Sequence, residues 1–215
     1  MTDTVFFDLD GTLTDPSLGI TNSVMHALER MGRKVPPREE LYSFIGPPLI
    51  TQFMEYCNIS KEEAEQAVVY YREHFSETGL FENTLYPGVW ESLGRIKKTG
   101  KKICLATSKP EFFAKRILDR FGLAEYFDYV CGATMGEQRT AKKDVIEYAL
   151  HLSESQRDNT VMVGDRRHDI EGAKACGLKS VGVTWGFGSQ EELETAGADR
   201  IAGTFEELES ILAQI

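Results

Sequence analysis

Two carboxylates, Asp8 and Asp10, follow the apolar run Val5-Phe6-Phe7 and lead into Gly11-Thr12 near the start of the chain. A carboxylate buried without compensation costs several kcal/mol, so acids at the end of an apolar strand imply a cation or a reacting group beside them. Residues two apart share one face of a strand, which brings Asp8 and Asp10 together at its carboxyl end. Open α/β sheets bind ligands at that edge. All-oxygen ligation of this kind suits Mg2+ better than zinc. Val161-Met162-Val163-Gly164-Asp165 repeats the arrangement, with Asp169 four residues on. Asp165 and Asp169 can share a metal, and Asp169 can equally cap a helix beginning near Ile170. A third apolar run, Ile103-Cys104-Leu105-Ala106, ends in Thr107-Ser108. Those two residues can donate to a phosphoryl oxygen at the N-terminus of the next helix, or serve only as that helix's cap. Lys142 or Lys143 opens the apolar stretch Val145, Ile146, Ala149 and Leu150 and can reach back as a charge clamp. His168, although it lies between acids, is expected to be a solvated loop residue rather than a ligand.

Taken together, these groups supply what phosphoryl transfer needs: a nucleophile, an acid or base, donors for the equatorial oxygens and positive charge. Asp8 is read as the nucleophile that forms an aspartyl-phosphate, and Asp10 as the general acid and base. Gly11 lets the backbone turn close to the phosphate, with Thr12 adding amide donors; Ser108 completes the phosphate-binding set.

The elements that must hold these residues are legible in the periodicity. Strands are expected at 102–106, 129–131, 160–163 and 180–183, each separated by a helical stretch, which means right-handed βαβ units and a parallel sheet. From Asp15 to about Phe81 the pattern is helical instead. Ile20, Val24, Ala27, Leu28 and Met31 share one face, Gly46-Pro47-Pro48 breaks a segment, and Ser60 with Glu63 forms a capping box. The reading is an α/β protein with a Rossmann-like core at 1–14 and 82–215 and an inserted all-helical cap at 15–81. Phe44-Ile45-Gly46-Pro47-Pro48 is the loop expected to set substrate choice.

At 215 residues with a formal net charge of -10, the chain argues against nucleic-acid or anionic-membrane partners, whose electrostatics call for basic surface. A phosphate substrate must then be met by local cations. Cys57, Cys104, Cys131 and Cys176 show no metal or disulfide spacing and are expected to be reduced. The opening residues show no basic segment followed by an apolar stretch, and no run spans a bilayer. A cytoplasmic monomer or homodimer acting on a small phosphorylated metabolite is the expectation.

On these motifs the chain resembles the haloacid dehalogenase superfamily of phosphohydrolases, in its subgroup with a helical cap, and looks most like phosphoglycolate phosphatase-type proteins. Asp8 to Thr12 match the first motif, Thr107 the second, Lys142 the third (Lys143 being the other possibility) and Gly164 to Asp169 the fourth. The resemblance covers essentially the whole chain, including Tyr86-Pro87-Gly88 and Trp185-Gly186-Phe187-Gly188. It implies Mg2+ held by the Asp8 side chain, the Asp10 backbone carbonyl and Asp165, with Asp169 in support. Two departures are Ser108, where many members carry Asn, and the absence of a proline after the lysine. Asp10 argues against a dehalogenase, whose halide leaves without a proton. A nucleotidase for nucleoside 5'-monophosphates, a sugar-phosphate mutase and a phospho-accepting signalling domain are the competing readings, the last opposed by the helical insertion.

Overall fold

The β-branched and aromatic run at the start of the chain forms the centre of the sheet, in a computed structural model that describes residues 2–136 and 139–215. In chain order the elements are β1 (Thr4–Phe7), β2 (Thr14–Asp15), α1 (Ser17–Arg30), α2 (Leu49–Cys57), α3 (Lys61–Phe75) and β3 (Thr84–Leu85). There follow α4 (Val89–Lys98), β4 (Lys102–Pro110), α5 (Glu111–Arg120), β5 (Tyr129–Ala133), α6 (Lys142–Ser153) and β6 (Thr160–Gly164). The chain closes with α7 (Arg167–Ala175), β7 (Lys179–Val183), α8 (Gln190–Ala196), β8 (Arg200–Ala202) and α9 (Phe205–Gln214).

Six strands pair in parallel in the order β5-β4-β1-β6-β7-β8. All four residues of β1 are buried, as a strand covered on both faces requires. Its register sets Phe6 opposite Cys104 on one side and Met162 on the other. The chain builds outward from β1 through β4 to β5, then returns to its other flank at β6, so the switch in strand order falls at β1, where such sheets form their ligand crevice. Helices α6 and α7 pack beside each other, α6 on β4 and β5 and α7 on β6 and β7. Their apolar faces, with Val145, Ile146, Ala149 and Ala173, join Phe6, Cys104 and Met162 in one core. The architecture is the Rossmann-like sheet flanked by helices that the periodicity predicts.

The sequence reading does not foresee the short pair β2-β3, and two details of the main sheet also differ from it. Strand β8 has only three residues, too few for a period to register. Strand β4 runs on through Pro110, with a shift of register between Thr107 and Pro110, and α5 starts only at Glu111. Thr107 and Ser108 are therefore not the cap of that helix. Pro110 holds the cap position and makes no side-chain capping bond.

The chain divides into two compact units, one of Met1–Thr14 with Leu85–Ile215 and one of Asp15–Thr84. The second is built from α1, α2, α3 and two short 3-10 turns. In it Ser60 and Glu63 close their capping box on α3, and Phe44 packs edge-on against Phe53 and Tyr56 with ring centroids 4.9 and 5.2 Å apart. All four cysteines are free thiols; burial pushes those of Cys104 and Cys131 up to about 12. Among the described residues, no helix is long and apolar enough to cross a membrane.

Candidate active site

Every buried charged side chain among the described residues lies at one place, the carboxyl edge of β4, β1 and β6: Asp8, Asp10, Lys109, Lys142, Asp165 and Asp169. Asp8 follows β1 directly, and its amide donates to the Val163 carbonyl at 2.9 Å, tying the strand end to β6. Asp165 follows β6. Asp169 is the third residue of α7, where its Oδ2 accepts from the Arg166 amide at 3.1 Å. The two roles open to Asp169 are thus held together: one oxygen caps the helix and the other enters the site.

Lys142, the first residue of α6, is the lysine that reaches inward. Its Nζ lies 2.8 Å from Asp8 Oδ1 and 2.7 Å from Asp169 Oδ1, and it donates to the Ala106 carbonyl at 3.1 Å. Asp8 Oδ1 and Asp169 Oδ1 have no well-aimed hydrogen bond, so both are held by charge and remain open to a further partner. Burial alone would lower the Lys142 pKa, but the charges of Asp169 and Asp8 outweigh it and hold the group above its ordinary value. Lys143, one residue on, is exposed.

Asp8, Asp165 and Asp169 can each offer one carboxylate oxygen, and these lie within 4.8 Å of one another. Burial raises the Asp165 carboxyl well above its usual range, with the charges of Asp169 and Asp8 adding to the effect. Asp169 is raised to about 6, chiefly by burial against the opposing pull of Lys142. Four buried acids face two buried ammonium groups, which leaves a formal excess of two negative charges. One divalent cation would cancel it, and an all-oxygen cluster suits Mg2+. The residues present therefore fit that ion. Asp10 lies outside the three-carboxylate cluster. Its Oδ2 is met by Lys109 Nζ at 2.6 Å, and burial raises its pKa despite that lysine.

The turn after β1 departs from expectation. Gly11 has φ +85° and packs so closely on Asp165 that a Cβ there would run into the carboxylate, which reserves the position for glycine. But the Gly11 amide donates to the Thr14 carbonyl at 2.7 Å and the Thr12 amide to the Leu9 carbonyl at 3.3 Å. These amides close the turn rather than stand ready as phosphate donors, because a chain reversing in so few residues uses its own N–H groups. The Thr12 hydroxyl instead donates to Asp165 Oδ1 at 3.4 Å. Thr107 Oγ1 accepts from the Lys109 amide at 3.2 Å, leaving its own O–H to be donated. Ser108 is half-buried beside it. His168 is half-buried within the first turn of α7, not on a solvated loop, and burial lowers its pKa. It is absent from the acid cluster.

Three contributors had no role assigned in the sequence reading, although the family resemblance takes in Trp185 and Phe187. The Phe187 amide donates to Asp165 Oδ2 at 2.8 Å, and Trp185 Nε1 donates to the Thr12 carbonyl at 3.0 Å, so the loop after β7 holds both Asp165 and the turn. Lys109 is the third. Its only sequence signal is a lysine directly after two hydroxyl residues at a strand end.

With this geometry in hand, the chain can be set beside known proteins. Residues 5–183 match the haloacid dehalogenase-like hydrolase family. A protein of Pseudomonas aeruginosa named 5'-nucleotidase is 41% identical over 189 residues, which cover 88% of this chain and 86% of that protein. A Mycobacterium tuberculosis protein named tyrosine-protein kinase PtkA is 37% identical over 97% of this chain and 72% of its own length. The crystal structure of a predicted phosphatase from Clostridium acetobutylicum superposes with a TM-score of 0.98 at 43% identity, covering 100% of both chains.

Proposed function

Because the chain belongs to the haloacid dehalogenase-like hydrolase family and is a phosphoric monoester hydrolase, we propose that it cleaves small phosphate monoesters through an aspartyl-phosphate on Asp8. The observation that carries this reading is the gathering of all described buried charges around Asp8 at one sheet edge. In the first step an Asp8 carboxylate oxygen bonds to phosphorus as the ester oxygen departs, and Asp10 gives that oxygen a proton. In the second, Asp10 takes a proton from water, the water oxygen bonds to phosphorus, and the Asp8 carboxylate is released. Lys142 and the Thr107 hydroxyl stabilise charge on the phosphoryl oxygens. Asp8, Asp165 and Asp169, with the Asp10 carbonyl, would hold Mg2+, which when bound supplies positive charge to the transferring group. The place of work is the cytoplasm.

Substrate choice is a finer matter. Phosphoglycolate is our first assignment, and the 41% identity to a protein named 5'-nucleotidase favours a nucleoside 5'-monophosphate as the second. The test is inorganic phosphate release from a panel holding both, with sugar and aryl phosphates, in Mg2+ and in chelator. Turnover that needs Mg2+ supports the proposal and ranks the substrates; no release from any monoester overturns it. Segment Gly46-Pro47-Pro48 of the helical unit is assigned the ranking. Phe44 and Ile45 are buried and spoken for by packing, so Pro47→Ala and Pro48→Ala are the informative changes. They should alter the kcat/KM ratio of the two best substrates by roughly tenfold, a difference within reach of pocket shape. An unaltered ratio removes the assignment.

Metal binding should also be visible as stability. Carboxyl groups raised above their ordinary value, Asp169 to about 6 and Asp165 and Asp10 upward, bind protons more tightly folded than unfolded. The contribution of Asp169 therefore falls as pH rises through about 4 to 6 in metal-free protein, and those of Asp165 and Asp10 fall in the same direction. Mg2+ displaces those protons, so its stabilising effect grows through the same window. At about 100 times its Kd the gain is about 2.7 kcal/mol, or roughly 5–10 °C in Tm for a chain of this size. Melting curves at mildly acidic and neutral pH, with and without Mg2+, read this directly. A gain that shrinks toward neutrality contradicts the ligand assignment.

A further inference from the structure

Lys109 is buried against Asp10, which lies 99 positions away in sequence, with its ammonium 2.6 Å from Oδ2. The other Asp10 oxygen, Oδ1, is buried and accepts no hydrogen bond. The two oxygens of one carboxyl are thus treated unequally: one is pinned, the other left open. The backbone that carries the lysine is itself held on two sides. Its amide donates to Thr107 Oγ1 at 3.2 Å, the local bond by which a hydroxyl residue fixes the chain two positions on. Its carbonyl lies against β5 at Gly132, where a Cβ would come within 2.7 Å of both that oxygen and the Glu111 amide. A buried lysine is costly to keep, and one braced in this way has a defined direction.

We propose that Lys109 is a positioning residue for Asp10: its ammonium holds one carboxyl oxygen and thereby presents the other to the leaving-group oxygen. The inference rests on the assignment of Asp10 as general acid and base made above. The chemistry balances without another reactant. As the Asp8–phosphorus bond forms and the ester P–O bond breaks, the proton on Asp10 Oδ1 passes to the departing oxygen, and the carboxylate left behind is met by Lys109. In the second step the same oxygen takes a proton from water as the water oxygen bonds to phosphorus and the Asp8–phosphorus bond breaks. An oxygen that must face the ester and then the water cannot be free to rotate away between the two.

Leaving-group dependence tests this where a merely structural role would not. An alkoxide needs the proton, whereas p-nitrophenolate is stable enough to depart without one. General acid assistance is typically worth about 10²- to 10⁴-fold. In Lys109→Met, kcat/KM for an alkyl phosphate should fall by about 10- to 100-fold while that for p-nitrophenyl phosphate falls far less, and Lys109→Arg should recover part of the loss. Asp10→Asn is the control for the underlying reading and should show the same selectivity with a larger amplitude. Adding Lys109→Met to Asp10→Asn should cost little more, since two groups acting as one unit are not additive. Gly132→Ala, which leaves both side chains in place but crowds the Lys109 carbonyl, should reproduce the selective loss in weaker form. This variant serves should Lys109→Met not fold.

A selective loss in Asp10→Asn together with an unselective or absent one in Lys109→Met and Gly132→Ala overturns the role of Lys109 alone. An unselective Asp10→Asn overturns the acid–base assignment and the inference with it. Additive losses in the double variant likewise overturn the coupling.

Discussion

Asp8→Asn protein should release no measurable phosphate under conditions where the parent turns over, a loss of about 10⁴-fold or more, as expected when a covalent nucleophile is removed. The substitution is nearly isosteric, and the amide oxygen can still face Lys142, so packing is retained. It also removes one of three carboxylates crowded within 4.8 Å, whose mutual repulsion adds to burial in raising Asp165 and Asp169. The lost attraction to Lys142 and the relieved repulsion oppose each other. Stability should then change by no more than about 1 kcal/mol, within the range of ordinary point changes. A melting curve beside the assay separates a dead enzyme from an unfolded one. Acid quenching during turnover of a substrate labelled at phosphorus should trap label on the parent and none on the variant. Retention of more than about one per cent of turnover by Asp8→Asn, or label on it, would remove Asp8 as the nucleophile.

The second large effect belongs to Lys142. In Lys142→Met the apolar stem is preserved, but Asp8 and Asp169 lose their shared cation while remaining 4% and 1% exposed. Breaking a buried pair on one side costs about 3–5 kcal/mol, on the order of 10 °C in Tm for a chain of this length. Turnover should fall by at least about 100-fold, the scale on which one charge-stabilising donor acts. The pH dependence has a definite sign. Because the Lys142 pKa is raised on folding, its contribution is fully present below the unfolded value near 10.5 and is lost only as pH climbs past the folded one. Lys142 itself therefore stays charged through neutrality, but in the variant Asp169 is freed from the opposing pull of Lys142 and takes up a proton more readily, so the deficit should narrow at mildly acidic pH and widen as pH rises. Lys143→Met is the paired comparison. The exposed Lys143 side chain should matter by no more than about 0.5 kcal/mol and leave phosphate release unchanged. Similar effects from the two substitutions would contradict the placement of Lys142 at the site.

Much of this was written locally in the chain. The strands of a parallel sheet are buried on both faces, so they read as apolar runs, and a polar residue ending such a run marks the open edge. Asp8, Thr107 and Asp165 were therefore legible as residues of the sheet's carboxyl edge from one physical rule applied three times. The capping box at Ser60 and Glu63 was legible for the same reason, being a bond between residues three apart. β8 was not, since three residues carry no period.

Tertiary packing decided the rest. Lys142 and Lys143 are equivalent as letters, but one step along a helix turns a side chain by about 100°, and only the seating of α6 on β4 sends the first of them to Ala106 and the acids. The partner of Asp10 was invisible because charge pairing acts through space, and Lys109 comes beside it only when β1 and β4 lie side by side. The Gly11 and Thr12 amides illustrate the converse: their types suit phosphate binding, but the turn they build consumes them. What the residue string determined alone was the sheet edge and the acids and hydroxyl upon it, since these follow from short-range periodicity. Which lysine serves which acid was left to the fold, because an ion pair between distant segments exists only once the chain has brought them together.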